Sequence, residues 1–178
     1  MTRFNNKRRS FPFAWVALLV LDAGLVVMTV AQDQQPASVN NIDPVIMRID
    51  GPDNVGDYGI RFEAIDVTVD SGEAPLAAWQ FELQSRSPGV EIVGIEGGEH
   101  DAFAEPPYYD PQAMNNDRVI LAAFSTADEL PSGRSRIARL HLQLEGPGPT
   151  DFELRVNVTA TVDGEPIPAT ASIQKSTI

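Results

Sequence analysis

Polar and apolar residues alternate along most of the chain beyond residue 44. The clearest case is Phe152, Leu154, Val156, Val158, Ala160 and Val162, with Glu153, Arg155, Asn157, Thr159 and Thr161 between them. Successive side chains of a strand point to opposite faces, so this pattern predicts a β-strand with one buried face. Asp163-Gly164 predicts a tight turn, because both residues tolerate positive φ. Ile167, Ala169, Ala171 and Ile173 then alternate on the way back. A hairpin of this kind must lay its apolar face on a second sheet, which predicts a β-sandwich.

Further strands follow from the same reasoning. Val45 to Ile49 is a short apolar run, and Tyr58, Ile60, Phe62 and Ala64 alternate with polar partners. The phase then shifts to Ile65, Val67 and Val69, as one extra residue at a bulge would shift it. Ala77, Trp79, Phe81 and Leu83 make another apolar face, which places Trp79 in the core. A turn at Ser87-Pro88-Gly89 leads into a strand over Val90 to Ile95, and Val119 to Phe124 is an unbroken apolar run, as in a strand buried on both faces. Ala138, Leu140, Leu142 and Leu144 alternate with Arg139, His141 and Gln143, so His141 belongs to a polar face. The expected fold is an all-β antiparallel sandwich of eight or nine strands over residues 45–175, without internal repeats.

The front of the chain is different in kind. Arg3, Lys7, Arg8 and Arg9 precede Phe11 to Ala31, which is apolar except for Asp22. This predicts a hydrophobic helix in residues 1–31, followed by a polar linker over residues 32–44. Asp22 would cost about 2.5–3.5 kcal/mol at the centre of a span, and Thr29-Val30-Ala31 ends in small residues suited to cleavage. The apolar run of about 21 residues is nevertheless long enough to cross a bilayer. Signal peptide and membrane anchor both stay open, and both send the remainder out of the cytoplasm, to the cell envelope or beyond.

Charge and cysteine content narrow the chemistry. The formal net charge is −12. Removing the leader's four basic residues and Asp22 leaves 9 basic and 24 acidic residues, a net of −15. Such a surface repels phosphate backbones and argues against nucleic acid as a partner. The absence of cysteine excludes disulfides, thiolate metal sites and cysteine nucleophiles. No nucleophile elbow, zinc-protease helix, phosphate loop or dinucleotide fingerprint is present. A non-catalytic protein without a cofactor is expected.

Residues 96–116, EGGEHDAFAEPPYYDPQAMNN, lack periodicity. Loops of about 20 residues are uncommon in compact domains and are often functional. Four readings compete. Glu99, His100, Asp101, Glu105 and Asp110 offer oxygen ligands for calcium, though without EF-hand spacing. His100 suggests zinc, for which a single loop histidine is few ligands. Phe103, Tyr108 and Tyr109, stiffened by Pro106, Pro107 and Pro111 and flanked by Glu105 and Asp110, suit an aromatic platform for a polysaccharide or a protein. Alternatively, Phe103 and one tyrosine plug the open end of the sandwich. Adjacent residues in extended chain point to opposite sides, so one tyrosine is expected to face the core and the other solvent.

The order of several segments resembles a cohesin domain of the bacterial cellulosome type. These are Ala64-Ile65-Asp66-Val67-Thr68-Val69, Leu76-Ala77-Ala78-Trp79-Gln80-Phe81-Glu82-Leu83, Val119 to Ser125, Ile137 to Leu144, and the turn Asp163-Gly164-Glu165-Pro166-Ile167. The resemblance covers about Val45 to Ile173. It implies a jelly-roll sandwich, related in fold to some carbohydrate-binding modules, that binds a dockerin in cellulosomal members and an unknown partner in stand-alone ones; for this chain the expected partner is a dockerin-like or other envelope protein, or a polysaccharide. A single module without a second cohesin or an attached enzyme departs from the scaffolding members of that family. A structural envelope component without a ligand site is the alternative, and an anchored hydrolase a distant third.

Overall fold

A computed structural model describes residues 43–51 and 59–176. The expectations for the leader, for the linker through Ile42 and for Tyr58 lie outside the described residues. Among the described residues there are eight strands: β1 (Val45–Ile49), β2 (Ile60–Asp70), β3 (Ala78–Ser85), β4 (Val90–Glu96), β5 (Arg118–Phe124), β6 (Arg134–Glu145), β7 (Thr150–Ala160) and β8 (Thr170–Lys175). They form two four-stranded sheets, ordered β1-β7-β3-β5 and β4-β6-β2-β8. Every strand pair in them is antiparallel. Among the described residues, no helix is long and apolar enough to cross a membrane.

One core joins the two sheets. Trp79, Phe81, Leu83, Leu121, Phe152 and Leu154 come from the first sheet. Ile65, Val67, Ile92, Leu140, Leu142 and Leu144 come from the second. Trp79 is 2 % exposed, and its ring stacks on Phe81 with centroids 5.3 Å apart. Burying aromatic and branched side chains at about 25 cal/mol per Å² is the main term holding such sheets together.

Several expectations need correction. The turn at Asp163-Gly164 exists, with Gly164 at φ 81, but it does not return the chain into the same sheet. After a single bridge between Ala160 and Pro166, the chain crosses over and β8 pairs with β2. The Thr159 hydroxyl donates to the carbonyl of Ile167 at 2.7 Å and holds this crossing. Thr159 reaches it because β7 carries a bulge: Gln80 pairs with Val158 but Phe81 pairs with Val156, leaving Asn157 extra. The alternation therefore inverts after Val156. Thr159 is buried, while Val158 and Val162 are exposed.

The bulge expected in β2 is absent. Its pairing with β6 runs in regular register from Ile60 to Val67. Ile60 and Phe62 stand exposed on the outer face, whereas Ile65, Val67 and Val69 line the core. The apparent phase shift marks a change in what covers the strand. The extra residue lies in the partner strand instead, where Val67 pairs with Ala138 and Thr68 with Arg136, leaving Ile137 unmatched. Nor is β5 buried on both faces. It is an edge strand whose Val119 and Leu121 point inward and whose Ile120 and Phe124 point outward.

Candidate functional site

The segment from Gly97 to Asn116 is tied down at both ends. A Cβ on Gly97 would lie 2.2 Å from the carbonyl oxygen of Ala104, and one on Gly98 would lie 2.6 Å from that of Arg136. Only glycine allows the backbone so close at these two positions. At the far end, Asn115 donates its backbone N–H to Ile92 O at 2.9 Å, and Ile92 returns one to Asn116 O at 2.9 Å.

Between these anchors lie two single 3₁₀ turns, Asp101–Phe103 and Pro111–Ala113, each capped by a side chain. His100 Nδ1 accepts from the N–H of Ala102 at 3.2 Å, and Asp110 Oδ1 accepts from the N–H of Gln112 at 2.9 Å. Among the described residues, no group of three or more His, Cys, Asp or Glu side chains is placed to hold a metal ion.

The five candidate residues divide. Phe103 is 4 % exposed and meets the Trp79 ring edge-on, with centroids 6.0 Å apart. It is a core residue that pins the loop, which corrects its placement on a binding platform. Tyr108 is 72 % exposed and Tyr109 36 %. Neither tyrosine enters the core, so the expectation that one of them does is also corrected. Phe103 holds the loop down, and the backbone of Tyr108 helps. Tyr108 N donates to Ala122 O at 2.8 Å, and Ala122 N donates to Tyr108 O at 3.0 Å, which adds one bridge to the open edge of β5. Glu105 and Asp110 are both exposed.

The bridge sets the geometry of the outer face. Residues paired across antiparallel strands share a face. Register therefore aligns Tyr108, Ala122, Gln80 and Val158 in one row. Phe124, Ala78 and Ala160 form the next row, and Ile120, Glu82 and Arg155 lie on the other side. The rings of Tyr108 and Phe124 are nearly parallel, at 11° with centroids 6.4 Å apart. Phe124 is 67 % exposed. Past the bridge, a groove of about 390 Å³ opens between the loop and β5. Tyr108, Tyr109, Asp110, Ala113, Arg118 and Ile120 line it.

Ion pairs occupy the other half of this face. Arg118 Nε donates to Glu82 Oε1 at 2.7 Å, and Arg48 makes a bidentate pair with Asp151 at 2.7 and 2.8 Å. Arg86 and Arg155 both meet the buried Glu153. The hydrogen bond from Arg118 holds Glu82 below the usual carboxylate range against the opposing effect of burial. Sequence reasoning missed Ile120, Phe124 and Val158. An unbroken apolar run does not reveal that its strand is an edge, and the Asn157 bulge is invisible to period-two reading. Comparison of the chain with family models, with curated proteins and with solved structures returns no match.

Proposed function

We propose that the protein is an exported, non-catalytic binding module of the cell envelope that recognises a protein partner through the Tyr108–Phe124 face. The observation that carries this reading is the exposure of two near-parallel aromatic rings on the sheet face that also bears the exposed Ile120 and Val158. Exposed apolar patches rimmed by polar groups mark interaction surfaces, and aromatic anchors dominate binding energy at them. The chemistry of the rim selects the partner. Glu105, Asp110 and Asp117 are exposed carboxylates, whereas Arg118 is already engaged by Glu82. An apolar segment flanked by lysine or arginine complements this surface. A cohesin-like jelly-roll winding belongs to the same reading and is supported by the two antiparallel sheets and their shared core.

The test is capture from envelope extract by the full chain, comparing wild type with the Tyr108→Ala/Phe124→Ala double variant. Both residues are exposed, so the variant is expected to melt within a few degrees of wild type. A polypeptide retained by wild type and lost by the variant is the expected result. Equal retention by both proteins, or no retained polypeptide at all, overturns the proposal in favour of a structural role without a ligand site.

A further inference from the structure

The opposite sheet carries a second and chemically different feature. Arg134, Arg136 and Arg139 all lie on β6. In a regular strand Arg136 and Arg139, three residues apart, would point to opposite faces. The bulge at Ile137 removes that parity difference. Arg139 pairs with Asp66, Arg136 with Thr68 and Arg134 with Asp70. The extra residue costs the core nothing visible, since Ile137 and Ala138 are both fully buried. Three of the nine basic residues beyond the leader thus share one outer face of a protein whose net charge is −12.

They also share a cleft of about 450 Å³, completed by Asp66, Thr68, Glu99 and Gln174. That size falls in the range of small-ligand sites, about 300–1,000 Å³. Two of the three guanidiniums are held in place by the fold. Arg139 makes a bidentate pair with Asp66 at 2.7 and 3.1 Å. Arg136 Nη1 donates to Gly97 O at 2.9 Å, while its own N–H donates to Glu99 Oε1 at 2.8 Å. A guanidinium has five N–H donors, so both retain donors for a ligand. Arg134 is exposed, and no hydrogen bond or ion pair of its side chain occurs among the described residues.

We infer that this cleft binds an acidic saccharide, with a uronate carboxylate on Arg134 and Arg136 and sugar hydroxyls on Thr68, Gln174, Asp66 and Glu99. The planar fork of arginine matches a carboxylate in bidentate geometry. Asp66 and Glu99 are acceptors that suit hydroxyl groups and repel a second anionic charge. A carboxylate set among the hydroxyls of a sugar ring satisfies both conditions. An acidic peptide, with one backbone N–H donor per carboxylate where the uronate ring has two free hydroxyls, meets the second less well.

The experiment titrates the full chain calorimetrically with a short oligogalacturonate, its methyl ester, an oligoglutamate and inorganic sulfate. Saturable binding of the oligogalacturonate is expected, at least tenfold weaker for the ester and for the other two probes. Arg134→Ala, at an exposed position, is expected to weaken binding at least tenfold with an unchanged melting temperature. Arg136→Lys is expected to weaken it as well, because lysine keeps the charge without the fork. Failure to bind the oligogalacturonate, equal binding of ester and acid, preference for oligoglutamate or sulfate, or insensitivity to Arg134→Ala would each overturn the inference. None of these outcomes bears on the Tyr108–Phe124 face, which belongs to the other sheet.

Discussion

Replacing Phe103 with alanine tests whether the long loop is built into the core or merely rests on it. The ring is 4 % exposed and packs edge-on against Trp79 at 6.0 Å. Losing a buried side chain of this size forfeits about 1.5–3 kcal/mol of transfer free energy. The aromatic contact adds about 0.5–1.5 kcal/mol, and the cavity left beside Trp79 adds a further share. The sum agrees with the about 3–5 kcal/mol typical of phenylalanine truncation. Urea unfolding of the full chain, followed by far-UV circular dichroism, measures the loss directly. Phe103→Leu, which refills much of the volume, is expected to cost much less. Because Phe103 anchors the loop that delivers Tyr108, the amide of Ala122 is expected to exchange hydrogen faster in Phe103→Ala. A loss below about 1 kcal/mol, with unchanged exchange at Ala122, would refute the reasoning.

Trp79→Ala is expected to cost about 3–5 kcal/mol, read from the urea midpoint, and a loss under about 1 kcal/mol would contradict its place in the core. Burial pushes the Asp66 carboxyl up, but the hydrogen bond and charge of Arg139 outweigh it and hold it below its ordinary 3.8. A lowered folded pKa gives stability that is present above the unfolded value and lost as pH falls through the folded one. The gap in melting temperature between wild type and Asp66→Asn is therefore expected to be widest near neutrality and to narrow below pH about 4. A gap that widens in acid would contradict that sign. Gly97→Ala places a methyl against the Ala104 carbonyl at 2.2 Å, and it is expected to lower the melting temperature and speed exchange at Ala122. Unchanged values would show that the loop can give way at no cost.

Much of the fold was legible because period-two alternation reports directly on one-sided burial. Trp79, Phe81 and Leu83 are buried as their phase predicts, and so are Leu140, Leu142 and Leu144. The failures share a cause. A bulge changes phase by one residue without changing composition, so Asn157 and Ile137 left no mark, and inward-facing Thr159 was read as a surface residue. Whether a strand lies at a sheet edge depends on which partner it finds, and the run Val119 to Phe124 is silent on that. The loop was recognisable as aperiodic, but its division of labour was not. Phe103 and Tyr108 have similar chemistry, and only the backbone bridge to Ala122 and the edge-on contact of Phe103 with Trp79 separate exposed ring from anchor. The arginine cleft was hidden for the same reason, since sequence spacing puts Arg136 and Arg139 on opposite faces until the bulge is known.

The proposal that Phe124 is a recognition anchor meets its most direct test in the affinity of Phe124→Ala for the polypeptide that the wild-type chain retains. The ring is 67 % exposed, so its removal leaves the core intact. An anchor is worth about 2 kcal/mol or more at an interface, which corresponds to a weakening of about thirtyfold. At least that loss is expected, at an unchanged melting temperature. An affinity within about twofold of wild type, on the same scale, would contradict it and place recognition away from the Tyr108–Phe124 face.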